Sequence, residues 1–152
     1  MPRCGVIVVA VLAALVAAGC GGSGDGRAAY VKALNKAQDA LAQRFTTLGS
    51  RLTATGTPAQ DARTLAAYEG AVTTTVADLR AVDPPDGFEE LHRRFVGQVA
   101  GYATALRAAR ADLRDRDGRA ILAAQGRLRA AIAHTADDLN ATIRAINAKI
   151  KG

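Results

Sequence analysis

The residues of this chain able to do chemistry are few. They are two histidines, two cysteines, three glutamates and a cluster of arginines. Glu89-Glu90-Leu91-His92 carries a Glu-x-x-His spacing, which places a carboxylate and an imidazole on one face of a helix. Di-iron helical bundles are built from that unit, but they need it twice, with two further carboxylates projecting inward. The remaining glutamate is Glu69, and His134 is followed three residues on by Asp137 rather than by a glutamate. Glu89 and Glu90 also open a helical segment, where acidic side chains complement the positive end of the helix dipole. First-turn acids beside a boundary histidine are therefore the stronger reading, and no metal or cofactor is expected. A transition-metal pair of His92 and His134 would require the two to come together in space.

Nucleophilic catalysis has no foothold. Gly-x-Ser-x-Gly is absent, neither histidine has an obvious acid partner, and no glycine-rich phosphate loop follows a strand. The chain is expected not to be an enzyme. The other two features with chemical content are physical rather than catalytic. Gly97-x-x-x-Gly101 sets two small residues on one face of a helix, where each glycine costs about 1 kcal/mol relative to alanine. Close approach of a neighbouring helix would offset that cost. A ligand groove made by Gly97 and Gly101, with Gln125 as the polar interruption of an otherwise apolar seam, is the alternative. Seven arginines gather in one stretch: Arg107, Arg110, Arg114, Arg116, Arg119, Arg127 and Arg129. Pairs such as Asp112–Arg116 would turn some of them into a solvated face. The rest are candidates for binding an anionic partner.

The charge is uneven along the chain. From Cys20 to Gly87 seven basic residues balance seven acidic ones, whereas from Phe88 to Gly152 twelve basic residues face seven acidic. A basic face suits anionic lipid or an anionic envelope polymer or protein. Nucleic acid is not expected, because there is no nucleic-acid-binding motif or aromatic platform.

The start of the chain has its own pattern. Arg3 supplies a positive charge, Val6 to Ala18 is unbroken apolar sequence, and Val16-Ala17-Ala18-Gly19 places small residues before Cys20. Gly21-Gly22-Ser23-Gly24-Asp25-Gly26 follows as a flexible stretch. The apolar run is shorter than the roughly 20 residues that a membrane-spanning helix needs. Residues 1–26 resemble the signal peptide and lipobox of bacterial lipoproteins, departing from the usual pattern at Ala17, where a larger aliphatic residue is common. The resemblance implies cleavage before Cys20 and a diacylglyceryl anchor on its sulfur, with acyl chains of the palmitate type. It also implies a place on the extracytoplasmic face of the cell membrane. Cys4 would leave with the signal and Cys20 would be acylated, so no disulfide is expected. Alanine-rich composition, with sixteen Arg to four Lys and eleven Asp to three Glu, points to a GC-rich genome. With the lipobox, the chain is similar to small helical lipoproteins of actinobacteria.

The elements that position these residues are helical. Tyr30, Leu34, Ala37, Leu41, Phe45, Leu48 and Leu52 recur by threes and fours, and predict a helix from about 28 to 52. Thr57-Pro58-Ala59-Gln60 has the form of a capping box with proline in the first turn, opening a second helix that Asp83-Pro84-Pro85 ends. Phe88, Leu91, Phe95, Val99, Tyr102, Leu106, Ala109 and Leu113 mark a third, to about Asp115. Ile121, Gln125, Leu128, Ile132, Ala136, Leu139, Ile143, Ile146 and Ile150 mark a fourth after Asp117-Gly118. Each helix has one apolar stripe and none is stable alone. The expected fold is all-α, an antiparallel up-down-up-down four-helix bundle over 28–152, after a signal helix at 1–19 and a tether at 20–27.

That topology puts the Pro84-Pro85 turn and the C-terminus beside the anchor and the arginines at the far end. Two functions follow as expectations. One is a lipid-anchored, non-enzymatic binding or scaffold module with an arginine-rich distal tip. The other is a carrier or sensor of a small apolar ligand held within the bundle. The sequence gives no indication of the number of subunits.

Overall fold

The computed structural model describes residues 24–49, 57–112 and 118–151. They form four helices: α1 (Gly24–Gly49), α2 (Pro58–Arg80), α3 (Glu89–Asp112) and α4 (Gly118–Lys151). No strand occurs among the described residues, and no described helix is long and apolar enough to cross a membrane. The signal segment, Cys20 and the expected end of the first helix at Leu52 lie outside the described residues.

The local signals act as their chemistry requires. At the start of α2, the Gln60 backbone N–H donates to Thr57 Oγ1 at 3.3 Å while the Thr57 N–H donates to Gln60 Oε1 at 2.8 Å. Pro58, which lacks a donor, occupies the first turn where none is needed. After Arg80 the two prolines prevent continuation. The chain then re-enters helix through Gly87, whose φ of +79° is accessible to glycine with little strain. The Phe88 N–H donates to the Pro85 carbonyl at 2.9 Å, closing the turn. Threonines within the helices, including the run Thr73–Thr75, donate their hydroxyls to carbonyls four residues back.

Among the described residues, Gly24–Arg27, which fall within the stretch expected as a tether, are already part of α1. A tertiary contact accompanies the added turn: the Arg27 guanidinium lies over the Phe88 ring, 5.9 Å from its centroid.

Packing is antiparallel between sequence neighbours, as contacts at several levels show. Along α3 and α4, Gly87 and Phe88 lie beside Lys149, Gly101 beside Thr135, and Asp112 beside Arg127. Along α2 and α3, Glu69 meets Arg107 and the Leu79 carbonyl meets His92. Tyr68 of α2 donates to the Phe45 carbonyl of α1 at 3.2 Å. α1 and α4, the two ends of the sequence, approach each other less closely. The core holds the expected stripes: Leu34, Val72, Phe88, Phe95, Ile143 and Ile146 are fully buried. Burying each such side chain contributes about 1.5–3 kcal/mol. The buried face is also wider than one narrow stripe, taking in Val31, Val96, Ala103, Thr75 and Thr142.

Candidate functional site

The fold has two chemically different ends. At one, the first turns of α1, the last turns of α4 and the turn into α3 converge on Phe88. Its ring is met edge-on by Tyr30 at 5.8 Å and overlain by Arg27 and by the Lys149 ammonium at 5.4 Å. Two cations on one buried aromatic ring are favourable because the ring face carries the negative lobe of its quadrupole.

His92 lies directly behind. Its Nδ1 is 3.2 Å from the Tyr30 hydroxyl, and the ring also bonds the Leu79 backbone carbonyl. A neutral imidazole satisfies both, one nitrogen donating and the other accepting. Burial holds the His92 pKa below its usual value and pushes the Tyr30 hydroxyl up to about 12. His92 is thus a buried residue bridging three helices.

The carboxylates of the Glu-x-x-His pattern have other employment. Glu89 Oε1 accepts the Gly87 N–H at 2.9 Å. Hydrogen bonds from the backbone N–H groups of Glu89 and Gly87 hold its carboxyl below the usual range. Glu90 pairs with Arg94 at 2.8 Å on an exposed face. His134 is exposed, with Asp138 at 3.4 Å. Its partner is four residues on, not the Asp137 three residues on. Since Gly101 is level with Thr135 in this antiparallel pair, about 15 Å of axial rise separates His92 from His134 at 1.5 Å per residue. Among the described residues no group of three or more His, Cys, Asp or Glu side chains is arranged to hold a metal ion.

The small-residue stripe divides. Gly97 is exposed, with no atom within 4 Å of where a Cβ would stand, while Gly101 faces the Thr135 side chain at 3.7 Å. Gln125 is exposed. Gln125 stands ten residues, about 15 Å, along α4 from the level of Gly101. An open trough of about 550 Å³ lies elsewhere, on α1 beside Lys32, Asn35, Lys36 and Asp39.

The other end carries the arginines. Glu69 of α2 holds two of them: Oε1 accepts from Arg107 Nε at 2.8 Å, and Oε2 lies 3.4 Å from Arg110 Nη1. Arg127 of α4 donates to Asp112 of α3 at 2.9 Å. Arg129 is exposed. Arg114, Arg116 and the Arg119 side chain lie outside the described residues. The structure therefore brings Arg107 and Arg110 together, and adds a residue that sequence reasoning left unassigned to this site. Glu69 is a lone glutamate in mid-helix, and its partners are 38 residues and more away, so no local spacing marks it.

Comparison with protein-family models, curated proteins and solved structures finds no match to this chain. The fold defines its class as an all-α four-helix bundle.

Proposed function

We propose that this chain is a lipid-anchored, non-enzymatic protein of the bacterial envelope. It acts as a binding or scaffold module whose arginine-rich end engages an anionic partner. One observation carries the reading: Arg107, Arg110, Arg127 and Arg129 occupy the end of the bundle opposite the start of α1. A chain held to a membrane through Cys20 presents that end outward, about 36 Å away along a helix of 24 residues. The charge balance supports it, since residues 107–129 contain seven arginines and three aspartates. A low-dielectric bundle end bearing such a surplus attracts polyanions at long range.

The test is binding of an anionic polymer to the full chain in neutral detergent. Binding should fall as salt shortens the Debye length from about 10 Å at 0.1 M to about 3 Å at 1 M. Replacing Arg107, Arg110, Arg127 and Arg129 together by glutamine should reduce it at least about tenfold, the effect of about 1.4 kcal/mol. Unchanged binding by that variant refutes the assignment.

A further inference from the structure

We propose that Arg107 and Arg110 form an oxyanion clamp and that Glu69 is its positioning residue. This rests on the anionic-partner reading above and gives it a defined seat. One carboxylate on α2 holds two guanidiniums from α3, which stand one helical turn apart on the same face. The layering is informative. The Glu69 side chain is only 15% exposed, whereas Arg107 is 61% and Arg110 36% exposed. The carboxylate thus lies beneath and the guanidiniums lie outside it.

The bonding leaves the outer edges available. Arg107 is engaged through Nε, so its two terminal nitrogens keep their N–H groups, and Arg110 is engaged through Nη1, leaving Nη2. A guanidinium is a rigid planar fork whose free edge matches the oxygens of a phosphate or carboxylate. Two such forks tied to one acid lose less side-chain freedom on binding than two that swing freely, which is the benefit of preorganisation. The unit keeps one net positive charge. Its ligand is an oxyanion group, phosphodiester or carboxylate, borne on an anionic polymer, with one guanidinium on each of two oxygens.

A solvated ion-pair cluster with no ligand makes opposite predictions, and these decide the matter. Removing the Glu69 charge makes the surface more basic. If only net charge matters, Glu69→Gln binds a polyanion more tightly. If Glu69 positions the clamp, the same change weakens binding.

The experiment measures affinity of the full chain in neutral detergent for poly(glycerol phosphate) and, separately, for polyglutamate. Thermal unfolding of each variant is followed alongside. The expected result is that Glu69→Gln weakens binding about tenfold, and that Arg107→Lys, which conserves charge but not the fork, does likewise. Asp78→Asn, an exposed change elsewhere on α2, should bind at least as tightly as the parent. The polymer whose affinity responds identifies the oxyanion. Glu69→Gln binding as tightly as the parent or more so, or Arg107→Lys binding unchanged, overturns the clamp while leaving the broader basic-end reading intact. Arg107 is exposed, so its lysine variant keeps the test valid even where Glu69→Gln unfolds. Failure of the parent chain to bind either polymer overturns both.

Discussion

At the residue scale, His92 shows how a suggestive side chain acquires a structural role. Its ring lies between Tyr30 of α1 and the Leu79 carbonyl of α2, although the residue itself belongs to α3. The cause of its lowered pKa is burial, so the folded protein favours the neutral ring. The unfolded chain, with its histidine near the ordinary value of 6.5, binds a proton more readily. Stability is therefore complete above about pH 6.5 and declines as pH falls below it, because the unfolded state takes up the proton first. Tyr30 acts at the other extreme. Burial pushes its pKa from the ordinary 10.0 up to about 12, so stability declines as pH rises from about 10 toward 12. Thermal midpoints measured from pH 7 to pH 5 should drop for the parent and drop less for His92→Phe, once the variant's own loss at pH 7 is subtracted. Parallel curves for the two proteins would show that His92 does not carry the acid sensitivity.

At the element scale, glycine gives a contrast between helix interior and helix entry. Gly97 sits on an exposed face of α3 with open space around the missing Cβ. Gly97→Ala should stabilise the protein by about 0.5–1 kcal/mol, through lower unfolded-state entropy and better helix propensity. Gly87 is the opposite case. Its φ is +79° and a Cβ there would stand 3.3 Å from Lys149 Nζ, so Gly87→Ala should cost about 1 kcal/mol or more. Urea unfolding of the two variants checks both signs. The helices themselves were legible because short-range patterns specify them: the Thr57–Gln60 capping box, the Pro84-Pro85 stop and the threes-and-fours spacing all appear in place. Two features were not legible. The added turn from Gly24 accompanies a contact with Phe88, 61 residues away from Arg27. Glu69 belongs to the same class, since its two partners are defined only once α2 and α3 are in register.

At the scale of the whole molecule, the up-down-up-down path divides the protein into an aromatic end, built around Phe88, and an arginine end, tied by Glu69 and Asp112. The anchor at Cys20 remains a proposal that gives this polarity a direction. Metabolic labelling with a palmitate analogue should mark the parent chain and leave Cys20→Ala unmarked and released from the membrane fraction. Continued labelling of that variant would mean that the acyl chain is carried elsewhere.

The convergence of both chain ends on Phe88 also has a mechanical consequence. α1 begins and α4 finishes at the same end of the bundle, where Arg27 and Lys149 share one aromatic ring. Tension applied between residue 24 and residue 151 therefore pulls across the helices rather than along them. It peels α1 from α2 and α4 from α3 turn by turn from the Phe88 end, in the manner of a zipper, instead of sliding the helices past one another against all their contacts at once. The first contacts to carry that load are the two cations on Phe88, and the Glu69–Arg107 bond near the far end is among the last.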